Sequence, residues 1–383
     1  MTVSHARAVA LGLAALATLA ASPGFAASET VIYAFQGSPD GARPQGGLIA
    51  IGGVLYGTTS QGGNENNGTV FSVTPKGAET VLHVFAAGND GATPNGGLLS
   101  VGGVLYGTTA GGGGAEHGTV YSMTPAGSEN VLHAFQGAPM DGAYPLAGLL
   151  VDGGNLYGTT AYGGAGDCVL YNGCGTIFKI TTAGAEAVTY DFGAGTVAAL
   201  PDAAIIDAGG TFYGTAADYN CGDTQFGAVY AFAAGVATTI YNFKGGNDGA
   251  CPQSSLVAIG TTLYGTTFAG GAQNAGAVFA VTTAGVEKIL HSFGAAKDGG
   301  YPTGNLVQVG KLLYGVTNAG GAKKLGTIYS ITPAGVEKVV YSFKGKSDGA
   351  NPLGGLTDVG GVLYGVTGAG GPAGAGTVFA FTP

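Results

Sequence analysis

One three-residue motif recurs at nearly constant spacing along the whole chain, and it limits the fold more than any other feature. It stands at Leu55-Tyr56-Gly57, Leu105-Tyr106-Gly107, Leu156-Tyr157-Gly158, Leu263-Tyr264-Gly265, Leu313-Tyr314-Gly315 and Leu363-Tyr364-Gly365, with Phe212-Tyr213-Gly214 as a divergent copy. The seven tyrosines are 50, 51, 56, 51, 50 and 50 residues apart. A proline precedes each tyrosine by 12 residues, from Pro44 to Pro352. A period of this length marks a chain built by stacking one supersecondary unit, as in solenoids and propellers.

Each unit reads as four short strands. In the first complete unit they are Gly47 to Ile51 (strand a), Val54 to Thr59 (b), Thr69 to Thr74 (c) and Thr80 to Phe85 (d). Val, Ile, Thr, Tyr and Phe fill them, and Gly, Pro and Asn punctuate them. No stretch after the N-terminal segment keeps a helical period. Val81-Leu82-His83-Val84-Phe85 is nearly continuous in apolar character, as expected of a sheet covered on both faces. Stacked blades give that two-sided cover.

The two ends complete each other. Glu29 to Phe35 is a d strand without its a, b and c, and Gly376 to Phe381 is a c strand without its d. Joining them makes seven sets of four and removes the open sheet edges. The expectation is therefore an all-β, seven-bladed β-propeller with four antiparallel strands per blade. Its N-terminal strand completes the last blade and closes the ring.

Composition narrows the class further. Gly makes up 77 of 383 residues, which by itself is compatible with disorder. However, 45% of residues are hydrophobic and the glycines fall in fixed columns, so a folded repeat domain is expected over residues 28–383. Residues 1–27 read as a secretory signal: a basic start through Arg7, an apolar run from Ala8 to Ala21, and a cleavage site after Ala26, Ala27 or Ser28. The mature chain is expected to be secreted or periplasmic, monomeric, and without a membrane span. A net charge of −9 with no basic cluster argues against nucleic acid.

Units of the form Gly-Gly-Val-Leu-Tyr-Gly-Thr-Thr, then Gly-Gly, then Gly-Thr-Val-Phe, resemble the GloVer tandem repeat, named from Gloeobacter and Verrucomicrobia. The resemblance covers residues 29 to 383. It implies a secreted bacterial protein and carries no catalytic residues to transfer. A looser likeness is to kelch repeats, though the kelch Trp is missing throughout.

Two repeated features invite a chemical reading and have a plainer one. Asp-Gly precedes the proline in six units, from Asp40-Gly41 to Asp348-Gly349. Such a pair suits a turn in which Asp accepts backbone N–H groups and Gly takes positive φ. His83, His133 and His291 share a strand d column with Tyr33, Tyr190, Tyr241 and Tyr341. That exchange suits a packing position with a polar tip, so no metal site is expected there. No cofactor-binding motif and no catalytic arrangement emerges.

The informative residues break the repeat. The b–c loop is longer in blade 3, where it holds Cys168 and Cys174, and in blade 4, where it holds Cys221; blade 5 is entered through Cys251. Export and an even count suit disulfides, expected as Cys168–Cys174 and Cys221–Cys251, with two other connectivities open. A four-thiolate zinc site is the alternative, disfavoured by export and by the absence of a Cys-x2-Cys pair. The same sector carries Asp167, Tyr171, Asn172, Asp202, Asp218, Tyr219, Asn220, Asp223 and Phe226. Aromatic rings, amides and carboxylates together suit an extracellular glycan or protein ligand, and drifted surface loops are the plainer reading. Asp218 and Asp223 could also pair as acid and base in glycoside chemistry. The leading expectation is a non-catalytic binding scaffold. The alternative is a polysaccharide-active or antibiotic-inactivating hydrolase or lyase on the same scaffold.

Overall fold

The computed structural model describes residues 27–168, 173–193, 199–217, 225–294 and 296–383. All of the expected signal segment except residue 27 lies outside them.

The chain folds into seven antiparallel blade sheets, one per repeat, six of four strands and the first of five, with a separate two-stranded pairing of Gly142–Ala143 and Tyr162–Gly163 beside blade 3. Blade 1 runs through Ile49–Ile51, Val54–Gly62, Thr69–Val73 and Glu79–Val84, within two residues of the expected bounds except that strand b continues to Gly62. Strand a is interrupted in this blade, where Gly41–Pro44 pairs with the far half of strand b, and is continuous in blade 7 as Ala350–Val359. The N-terminal strand Ser28–Ala34 pairs antiparallel with the C-terminal strand Thr377–Thr382, which makes blade 7 four strands wide. Two 3-10 turns, Gly88–Asp90 and Gly246–Asp248, are the helical elements of the described residues.

The core sits between blades. At every joint a Phe that follows strand d meets an aromatic ring from strand c of the next blade, edge to face. The pairs are Phe35–Phe71, Phe85–Tyr121, Phe135–Phe178, Phe192–Tyr230, Phe243–Phe279, Phe293–Tyr329 and Phe343–Phe379, all between 5.0 and 5.3 Å. Each such contact adds about 0.5–1.5 kcal/mol beyond the area it buries. Phe343–Phe379 and Phe35–Phe71 place blade 7 between blades 6 and 1 by the same contact that joins the other blades.

The Gly of Leu-Tyr-Gly lies beneath that aromatic ring: a Cβ on Gly57 would meet Phe71 Cζ at 2.7 Å. Nearer the axis the strands touch backbone to backbone, and a Cβ on Gly46 would meet the Gly96 carbonyl oxygen at 2.6 Å. The Thr-Thr pair also ties blades together, because Thr58 Oγ1 donates to the Gly96 carbonyl at 3.2 Å and Thr108 Oγ1 to that of Ala147 at 2.9 Å. These contacts narrow the axial space to a cavity of about 210 Å³.

Candidate functional site

Of the loop residues singled out in the sequence, the described structure places Asp167, Cys168, Cys174, Asp202, Phe226 and Cys251. Tyr171, Asn172, Asp218, Tyr219, Asn220, Cys221 and Asp223 lie outside the described residues, and with them the proposed acid–base pair. Cys168 and Cys174 form a disulfide, as expected. Cys174 is fully buried and packs with Ile177, Phe192 and Ile205. Cys251 is buried and disulfide-bonded. Asp167 is exposed on the stapled loop. Asp202 opens blade 4 with one carboxylate oxygen, Oδ1, sealed off without a partner. Burial pushes its carboxyl up to about 7.

The Asp-Gly turns accept backbone N–H groups as expected. Asp90 Oδ2 takes Ala86 N at 2.7 Å and Asp248 Oδ2 takes Lys244 N at 2.7 Å. Gly91, Gly249, Gly299 and Gly349 have positive φ, whereas Gly41 and Gly142 do not. What the sequence did not reveal is the second partner of each Asp. It is the Tyr or His of its own blade's strand d: Tyr33 donates to Asp40 at 2.9 Å, Tyr241 to Asp248 at 2.7 Å, and His133 Nε2 lies 3.0 Å from Asp141.

A third residue joins from the next blade, the Glu that opens its strand d. Burial, reinforced by the neighbouring Asp carboxylate, pushes Glu29, Glu79, Glu129, Glu186, Glu287 and Glu337 all up to about 7. Each of the six has a sealed Oε1 without a hydrogen-bond partner. Six joints therefore carry an acid–aromatic–acid lock. The signal was present in the sequence as a Glu column, but its partners are half a repeat away.

Among the described residues, the joint between blades 3 and 4 lacks this lock. Tyr190 has no Asp-Gly after it, and Ala237 stands where the other blades have Glu. The c–d turn is also one residue shorter here, with Phe232 paired to Ala237, five positions on, where Val73 pairs with Glu79, six on. In blade 1 the turn glycine, Gly77, abuts the carbonyl oxygen of Ile32 in blade 7; Gly235 has nothing within 4 Å. The result is an open groove of about 340 Å³.

Aromatic side chains line it. Tyr157 is part-exposed in the groove, while the other six motif tyrosines are buried. Phe212, which replaces the usual Leu, meets Tyr157 edge to face at 4.9 Å, and Phe232 lies 6.1 Å from Phe212. Lys179 Nζ sits 5.9 Å from the Tyr157 ring centre, and Asp152 stands exposed at the rim. The groove is in the sector expected from the sequence. It opens, however, on the face of the a–b and c–d turns, opposite the cysteine loops. Sequence reasoning missed it because a groove made by absent residues leaves no motif; the Phe212 copy and the missing Asp-Gly were its traces.

The Gloeobacter/Verrucomicrobia repeat model matches residues 21–230 and 218–383. None of the curated proteins matches. Among solved structures, a puromycin-hydrolysing peptidase of Mycobacterium tuberculosis is 14% identical with a TM-score of 0.51, over 86% of this chain and 50% of that one. A putative oxidoreductase (glucose dehydrogenase) of Thermus thermophilus is 13% identical with a TM-score of 0.45, over 93% and 99%. A gluconolactonase of Xanthomonas campestris is 14% identical with a TM-score of 0.41, over 69% and 78%. The chain spans half the length of the peptidase, and the likeness shows the fold alone. The chain belongs to the Gloeobacter/Verrucomicrobia repeat family.

Proposed function

We propose that this chain is an exported, non-catalytic binding module that takes a carbohydrate in the groove between blades 3 and 4. One observation carries the reading: the single joint without a lock is also the place where a motif tyrosine is uncovered. A groove of about 340 Å³ falls in the range of small-molecule sites, which run from about 300 to 1,000 Å³. Tyr157 offers a ring face to the C–H face of a sugar. Asp152 can accept hydroxyl protons, and Lys179 favours an acidic sugar. The apolar segment from Ala8 to Ala21 and the Cys168–Cys174 disulfide support export.

A glycan array of neutral and acidic oligosaccharides, followed by calorimetry on the hits, tests the reading. Tyr157→Ala should weaken binding at least tenfold, and Lys179→Ala should weaken acidic sugars selectively. Binding that survives both changes would move the ligand elsewhere.

A further inference from the structure

We propose that two of the locks, at the joints of blades 1–2 and 2–3, are binding sites for a divalent transition-metal ion of the zinc class. The ligands are His83, Asp90 and Glu129 at the first, and His133, Asp141 and Glu186 at the second. In each set one ligand atom from every residue lies within 4.8 Å of the others. The three residues come from strand d, the loop after it, and strand d of the next blade, so the ion would bridge two blades.

The second site shows why these joints differ from the tyrosine joints. Where the column holds Tyr, as at Tyr341, the phenol lies within hydrogen-bond distance of both carboxyl groups around it, Asp348 and Glu29, donating to one and able to accept from the other. Where it holds His133, Glu186 gains no such donor. Its Oε2 stays 3.9 Å from His133 Nε2, too long for a hydrogen bond, and its Oε1 is sealed without a partner. The Glu186 and Asp141 side chains are each only 10% exposed. Two carboxylates so placed are neutralised either by a proton or by a cation between them.

Asp141 already accepts Gln136 N and Gly142 N, which fixes its orientation and leaves lone pairs for an ion. His133 is held on edge against Phe135 at 4.9 Å, so its Nε2 is aimed at the carboxylates. One imidazole and two carboxylates form a zinc-type donor set with a fourth position left for water; imidazole disfavours calcium and magnesium. His291 and Asp298 lie 3.3 Å apart, but Glu337 does not complete a third cluster of this kind among the described residues. That joint serves as an internal control.

The test uses the full mature chain, untagged and stripped with chelator. Zinc titrated by calorimetry should bind with a stoichiometry of two, and cobalt(II) should give a visible absorption band that zinc displaces. The informative variants are His83→Tyr and His133→Tyr. They install the residue that the same column carries in four other blades, so folding is kept. Each should remove one equivalent of zinc, and the pair should remove both, while His291→Tyr changes nothing. In chelator the Tyr variants should melt no lower than the parent chain. Zinc binding unchanged in the double variant, or no zinc binding by the parent chain at micromolar concentration, overturns the proposal.

Discussion

Phe35 meets Phe71 edge to face at 5.0 Å, and this contact fastens the first strand of the chain to the blade that follows it. Phe35 is fully buried, and its amide donates to the Gly376 carbonyl of the last blade at 3.0 Å. Removing the ring as Phe35→Ala should cost about 3–5 kcal/mol, the usual range for a buried Phe. Deleting residues 29 to 36 should do more, because it exposes the edge of strand Thr377–Thr382. Denaturant melts and light scattering check both. The point variant should unfold cooperatively at lower denaturant, and the deletion should aggregate. A deletion that stays soluble and cooperative would show that the ring does not need its closing strand.

The same contact shows what was legible in advance. Phe35 and Phe85 occupy one column, so the missing strand of blade 7 could be counted without coordinates. The lock could not be read so directly. Glu79 acts with Tyr33 and Asp40, residues of the preceding unit, and a column of Glu does not announce which neighbour it faces. The groove was harder still. Tyr157 is the same residue as its six counterparts, and what distinguishes it is its surroundings: Phe212 in place of Leu and the shortened turn at Ala233 to Gly235. The Asp218 and Asp223 pair stays an expectation, since both lie outside the described residues.

Two glycines of neighbouring blades should respond differently to alanine. Gly57 has no room, since its Cβ would lie 2.7 Å from Phe71 Cζ and 2.8 Å from Leu48 Cδ2. Overpacking of this kind costs about 1–3 kcal/mol and displaces Phe71 or Leu48. Gly102 has a φ of 60° and open space around its Cβ, so Gly102→Ala carries only the backbone cost, about 1–2 kcal/mol. Near-ultraviolet circular dichroism separates them. Gly57→Ala should alter the aromatic signal, and Gly102→Ala should leave it intact.

The disulfide of blade 3 closes a short loop, with a sequence separation of 6. The chain-entropy model gives such a loop about 2 kcal/mol. The double variant Cys168→Ala, Cys174→Ala should lose roughly that amount. Reductant should lower the parent's stability by a similar amount or more, and the variant's by less. Equal sensitivity in both would place the redox-sensitive contribution at Cys251 instead.

Tyr341 lies within hydrogen-bond distance of two carboxyl groups, Asp348 and Glu29, and has one proton to give. A protonated Glu29 resolves the conflict by donating to the phenol oxygen. Its carboxyl is raised to about 7 by burial, as are those of Glu79, Glu287 and Glu337. Between pH 4.5 and 7 the folded chain therefore holds protons that the unfolded chain has released. The resulting stability is complete below the ordinary carboxyl range and is lost as pH rises through about 7. Solvent screening of these half-buried groups reduces the effect to about 1 kcal/mol each. Gln at these positions keeps a donor at every pH. Melts in chelator from pH 4.5 to 8 should thus fall with pH in the parent and flatten in the Glu29→Gln, Glu79→Gln, Glu287→Gln, Glu337→Gln variant. Parallel curves for the two proteins would mean that these glutamates are ionised in the fold, and that the joints draw their strength from packing alone.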